Sequence, residues 1–279
     1  MFDFVFLAKL MISVSIVVFL SWIAEHVSPK VAGLLSGYPL GAAIALFFYG
    51  IEVSPEFASK SAVYTMIGLV ASQAFVYCYY RASVYFKRWN IFCSSMISVA
   101  GYFLAIWLLH FIKLNHVLAI VVPVISIFLF SYLFREIDNV KIQKRLMLSY
   151  RLLFLRAIFA GSIILIITGV AKRVNPTWAG LFSAFPVTLF PLMLIIHFTY
   201  SKTYVHTIIK NFPAGLGSLI AYSLTVSIAY PVCGIYLGTF VSFTMATVYL
   251  LIYYFIAAKL KDSRKAKLTD LLRPLRLRC

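Results

Sequence analysis

The chain has 279 residues, 63% of them hydrophobic and only 12% charged, with a mean hydropathy of +0.96. A soluble domain carries about 25% charged residues, so a water-soluble globule is excluded and a bilayer, which requires no polar surface, is the expected solvent. The net charge of +17 does not indicate nucleic acid, because the basic residues sit in the connections between apolar runs; the anionic cytoplasmic leaflet is the partner they suit.

A hydrocarbon core of roughly 30 Å takes about 20 apolar residues per helix. That length divides the chain into nine runs, near 4–27, 31–51, 58–81, 91–112, 116–134, 152–171, 178–199, 204–229 and 232–258. The first lacks a small-residue cleavage pattern and is expected to remain as a helix. The last two are divided only by Tyr230-Pro231. Nine spans put the termini on opposite sides. Eighteen Lys/Arg then fall on the side of the C-terminus and four (Lys60, Lys113, Lys172, Arg173) on the other. The positive-inside rule places the C-terminus in the cytoplasm and the N-terminus outside.

The chain repeats itself. VSPKVAGLLSGYP at 27–39 and VNPTWAGLFSAFP at 174–186 are identical at seven of thirteen positions, at an offset of 147. The register holds without a gap: Ser15-Ile16 falls on Ser162-Ile163, Gly68-Leu69 on Gly215-Leu216, and Tyr102 on Tyr249. The expected fold is therefore an all-α polytopic membrane protein of about nine transmembrane helices. It comprises a first four-helix repeat over 1–115, a linker helix and basic cytoplasmic loop over 116–151, a second repeat over 152–258 and a basic cytoplasmic tail over 259–279. Equivalent helices are five spans apart, an odd number, so the two repeats are expected in inverted topology, an arrangement common among secondary transporters.

Within the repeated segment, Ser28-Pro29 and Asn175-Pro176 pair an N-cap residue with a first-turn proline, so helices should start there. Ten residues on, Pro39 and Pro186 each remove a backbone donor and crowd the carbonyl four residues back, at Leu35 and Phe182. Each helix should break about halfway through the membrane. Gly33, Gly37 and Gly41, or Gly180 with Ala184, admit a neighbouring backbone. Ser36 and Ser183 are placed to bond the freed carbonyls. Pro191 predicts a second kink in the second copy. Two such breaks meeting near the midplane would form a substrate site.

Ionisable residues inside the runs are few. Lys9 and Arg156 occupy matching positions and can snorkel to the interface. Lys210, about two turns into its run, is a candidate contact for an anion. Glu25 and His26, like Lys172 and Arg173, suit interfacial anchors, and His110, His197 and His206 suit hydrogen-bonded histidines near helix ends. No Asp or Glu falls at the centre of a run, which favours an anionic, neutral or lipid-like substrate over a metal cation. Cys78, Cys93, Cys233 and Cys279 have no disulfide or metal spacing. No P-loop, zinc motif or nucleophile elbow occurs, so no catalytic residue, metal or cofactor is nominated.

The segment AGLFSAFPVTLFPLMLIIHF, Ala179 to Phe198, resembles the Ala-Gly-Leu…Phe-Pro segment of the GlpM family of small bacterial inner-membrane proteins. Those are about half this size, so one repeat would equal one such protein. The resemblance implies a bacterial inner (cytoplasmic) membrane and carries no site. The small halves are also similar in architecture to drug/metabolite-type transporters. The expected function is a multi-pass carrier for a small anionic, amphipathic or lipid-linked solute, with Gly33, Ser36, Pro39, Gly180, Ser183, Pro186 and Lys210 as candidate substrate-binding residues. That expectation leaves room for a homo-oligomer. The competing expectations are a non-transporting scaffold or accessory subunit, with no polar cavity, and a membrane enzyme acting on lipid.

Overall fold

A computed structural model describes residues 28–112, 116–140 and 150–276, together with Leu7, Met11, Ile12 and Ser15. The rest of the first run, with Lys9, Glu25 and His26, lies outside the described residues, as do Lys113, linker residues 141–149 and the side chain of Arg156. Among the described residues every element is helical: α1 (Pro29–Ser36), α2 (Leu40–Glu52), α3 (Pro55–Tyr85), α4 (Asn90–His110), α5 (His116–Leu133), α6 (Tyr150–Ala171), α7 (Pro176–Ser183), α8 (Leu189–Thr199) and α9 (Lys202–Arg276). Among the described residues, four stretches are long and apolar enough to cross a bilayer, namely Pro29–Glu52 (α1 with α2), Pro55–Tyr85, Asn90–His110 and Lys202–Ala257.

Polarity is distributed for lipid. Phe103, Trp107, Ile125, Phe128, Ile166, Phe240 and Phe255 are exposed, while Ser61, Thr65, Ser72, Gln73, Ser94, Ser98, Thr168, Ser183 and Ser218 are buried. In water such a surface would be a continuous aggregation patch. In hydrocarbon it costs nothing, and Thr65, Ser72, Ser98, Thr168, Ser183 and Ser218 donate to carbonyls of their own or neighbouring helices, as Thr168 does to Ile164 at 2.9 Å.

Caps decide where the helices begin. Ser28, Ser54 and Asn175 each precede a proline, and their side chains accept from the backbone N–H of Val31, Phe57 and Trp178. α3 is the central element, packed along α2, α4, α5, α7 and α9. α9 is one helix only in name. At Gly234 the backbone takes φ 75° and ψ 176°, a conformation that glycine adopts without strain. There the chain folds back. Tyr230 Oη meets Thr239 Oγ1 at 2.7 Å, the rings of Tyr222 and Phe243 lie 4.9 Å apart, and Tyr249 donates to the Ala214 carbonyl at 3.3 Å. The arms on either side of Gly234 therefore run antiparallel, paired from 230 with 239 out to 214 with 249. The reversal lies at Gly234 and not at Tyr230-Pro231, because proline fixes φ near −65° and the turn needs φ above zero.

Pro191 produces no second kink. It lies in the first turn of α8, where its missing N–H would have had no helical partner anyway.

Close backbone contacts hold α1 and α7 in place. A Cβ on Gly33 would overlap the Ile208 carbonyl, and one on Gly180 would overlap the Ser61 carbonyl; around Gly169 there is open space. Gly180→Ala is expected to lower stability by about 1–3 kcal/mol through overpacking, while Gly169→Ala leaves it unchanged or slightly raised. Thermal unfolding followed by tryptophan fluorescence in detergent measures both. Equal effects would contradict the close packing described.

Candidate functional site

Both copies of the repeated segment are interrupted at their proline, and in the same way. α1 ends at Ser36 and α2 resumes at Leu40; α7 ends at Ser183 and α8 resumes at Leu189. In the first break the N–H of Tyr38 bonds the Leu35 carbonyl, that of Leu40 bonds Tyr38, and that of Ala43 bonds Pro39. In the second the bonds run from Phe185 to Phe182, Val187 to Phe185 and Phe190 to Pro186. Each second-copy bond is the first-copy bond moved by 147 residues. Pro39 and Pro186 are both buried.

The breaks face each other. A Cβ on Gly41 would lie 3.3 Å from Val187 Cβ. Tyr49 Oη donates to the Ala179 carbonyl at 3.1 Å, and Glu52 pairs with Lys172 at 3.6 Å. These pairs, 41 with 187, 49 with 179 and 52 with 172, descend in one chain as they rise in the other. The segments 29–52 and 176–199 therefore run antiparallel, crossing near the breaks.

Each break rests on a helix from the other half of the chain. Ser61, Thr65, Gly68 and Ser72, spaced at helical i, i+4, i+7 and i+11, make one stripe of α3 facing α7. Thr65 Oγ1 and Ser183 Oγ are 2.7 Å apart, and Ser72 donates to the Ala184 carbonyl. Opposite α1, Gly37 lies against Gly215, and Ser218 donates to the Gly37 carbonyl at 3.3 Å. Gly37 and Ala184 are equivalent positions, and each carbonyl exposed by the break accepts a serine hydroxyl from the other half. Ser36 and Ser183 act otherwise than expected. Their hydroxyls donate to Ala32 at 2.7 Å and Gly180 at 2.8 Å, within their own helices. The carbonyls at Leu35 and Phe182 accept backbone N–H groups instead. A hydroxyl one turn along its own helix reaches its i−3 or i−4 carbonyl before it can reach past a break.

Between the breaks lies a cavity of about 20 Å³ lined by Ser36, Tyr38, Gly41, Ser72, Ser183 and Pro186, among others. That is room for roughly one water, and the hydroxyl-bearing residues on its lining are Ser36, Tyr38, Ser72, Ser183 and Thr188. Ser36, Ser183 and Pro186 are thus brought together, with Pro39 buried between lining residues Tyr38 and Gly41. Gly33 and Gly180 serve behind the cavity, as the close-approach points on α9 and α3. Lys210 is elsewhere: its ammonium donates to the carbonyls of Arg135 at 3.1 Å and of Ile137, just past the end of α5. A cation suits that helix end. His197 and His206 bond Tyr79 at 2.9 Å and Ser83 at 2.7 Å, away from the cavity. His110 stacks on Trp178 at 4.3 Å. No group of His, Cys, Asp and Glu that could hold a metal occurs among the described residues.

Sequence reasoning did not single out Thr65, Ser72, Ser218 or Phe185. The Gly68-Leu69 and Gly215-Leu216 match pointed at the right two helices, but their serines stand one residue out of register between the copies, at 72 and 218. Compared with protein-family models, curated proteins and solved structures, the chain matches none.

Ser72→Ala leaves the Ala184 carbonyl without its cross-half donor and should cost about 1–2 kcal/mol. Ser98→Ala removes only a bond to Ser95 within α4, 2.9 Å long, and should cost less than ~0.5 kcal/mol. Unfolding by sodium dodecyl sulfate titration in mixed micelles compares the two, and similar values would argue against the cross-half bond.

Proposed function

We propose that this chain is a carrier of the inverted-repeat type, a protein of about nine spans in the bacterial inner membrane that moves a small amphipathic or lipid-linked solute past the two breaks. The observation that carries the proposal is the exchange of contacts between the halves. Gly33 approaches Ile208 while Gly180 approaches Ser61, and Gly37 approaches Gly215 while Ala184 approaches Gly68. Each pair is the other with 147 added to one member and subtracted from the other. A pseudo-twofold relation of this kind supports two copies inserted in opposite senses, and so do the antiparallel segments 29–52 and 176–199.

Such symmetry gives a carrier its two states. If one copy sits in a tighter arrangement and the other in a looser one, exchanging the roles yields a second state of similar energy, open to the opposite side. The cavity is small, with room for roughly one water. Its hydroxyls, without a carboxylate, suit a neutral or weakly anionic polar group. A scaffold has no need of two identical helix breaks meeting at a polar cavity, which is why the carrier reading is preferred.

The test needs no known substrate. In a chain with its four cysteines replaced by serine, Ser36→Cys and Ser183→Cys are introduced singly and exposed to a membrane-impermeant maleimide from either side of oriented vesicles. Labelling of each position from both sides is expected. Labelling from one side at most would overturn the proposal. Replacing Pro39 and Pro186 together with Ala heals both breaks and should cut labelling from one side by about tenfold, a shift of roughly 1.4 kcal/mol between the two states, with insertion retained.

A further inference from the structure

We infer that the solute enters sideways from the bilayer, its hydrocarbon chain held in an apolar cleft between α4 and α6, and that Phe185 is the partition between this cleft and the polar cavity. The inference rests on the carrier reading and adds the class of substrate and its route.

The cleft measures about 290 Å³ and is lined by Val99, Tyr102 and Phe103 of α4, Ile163, Ile166, Ile167 and Val170 of α6, and Phe182 and Phe185 behind them. That is close to the lower end of ligand-site volumes, roughly 300–1,000 Å³. It exists because α4 and α6 barely touch each other; both lean on α7. Its rim, Phe103 and Ile166, lies on the exposed apolar surface, while Tyr102 and Ile167 at its floor are buried. Tyr102 carries the one hydroxyl on the lining, and that hydroxyl already donates to the Leu181 carbonyl at 2.5 Å. The cleft therefore offers nothing to water and only dispersion contacts to an occupant. On a surface in contact with hydrocarbon, the occupant of matching chemistry is the acyl chain of a membrane lipid.

What lies behind the cleft turns a lipid contact into a route. Phe185 also lines the polar cavity. Its ring packs edge-on against Tyr102 at 4.9 Å, Phe75 at 5.6 Å and Phe190 at 6.1 Å. It belongs to the break, between α7 and α8, so it is carried by backbone that is not tied into a regular helix. One aromatic ring thus separates a greasy chamber open to lipid from a cluster of serine and threonine hydroxyls. A molecule with a hydrocarbon tail and a small polar head fits the two chambers together once that ring swings aside.

The test uses the full chain in vesicles of phosphatidylethanolamine and phosphatidylglycerol containing a phosphatidylglycerol with a diazirine in its acyl chain. After irradiation, adducts are mapped by mass spectrometry. Adducts at Phe103, Ile166, Ile167 and Val170 are expected at severalfold the yield found at Ile125 and Phe128, which are exposed on α5. Val170→Trp, which fills the cleft, should remove them and leave the α5 adducts. Phe185→Ala should extend them to Ser183 and Thr188, and Phe185→Leu repeats the measurement should the alanine variant fail to insert. Equal yields at the cleft and on α5, or adducts that stop at the cleft in both Phe185 variants, would overturn the inference. So would cross-linking of the cleft to residues 4–27 of the chain itself in place of lipid. Two-sided labelling of Ser183→Cys, measured on the same Val170→Trp protein, reports on the carrier reading separately: if it persists while cleft adducts are absent from the unsubstituted chain, the lateral route fails alone.

Discussion

A proline in the middle of an apolar helix frees backbone groups that hydrocarbon cannot satisfy, and every feature around the two breaks follows from that constraint. An unpaired carbonyl in lipid costs several kcal/mol. The chain meets the cost three times over at each break. Tight backbone bonds close the interruption, a serine from another helix bonds the exposed carbonyl of Gly37 or Ala184, and burial keeps both prolines from lipid. Close approach is a precondition. Glycine at 33, 37 and 180, and a side chain no larger than that of Ala184, let α9 and α3 come near enough for their hydroxyls to reach.

The result is mutual dependence between distant parts of the sequence. α7 is held by the Ser61-to-Ser72 stripe of α3, and α1 by the 208-to-218 stretch of α9. Each break closes its own backbone bonds but takes its serine donor from the other half of the chain. In the carrier proposed here that dependence does the mechanical work, because loosening one break alters the surface on which the other rests. Coupling of this kind travels through packed backbone and requires no ion pair at the centre.

The segment after α5 is tied into the same framework from the side. Lys210 bonds carbonyls of Arg135 and Ile137, Thr207 bonds Asp138, and Asn211 bonds Asn139. Lys210 and Asn211 stand one turn from Ile208, the point of closest approach to Gly33. The linker between the two repeated halves is thus anchored on the arm that supports the first break. A lysine that sequence alone suggests as an anion contact is occupied in fastening a helix end.

Much of this was legible in the residues. The apolar runs, the capping Ser28 and Asn175, the first-turn prolines and the interruptions at Pro39 and Pro186 are local consequences of backbone chemistry, readable wherever the residues stand. The repeat was legible too, because an offset of 147 holds across matching serines, glycines and tyrosines. What only the tertiary structure decided is which groups meet. That Ser72 and not Ser183 bonds the carbonyl at a break, that α9 turns at Gly234 and not at Pro231, and that Phe185 stands between two cavities all depend on the approach of helices a hundred or more residues apart. Spacing along a helix determines which face a side chain occupies; it carries no record of what will be packed against that face.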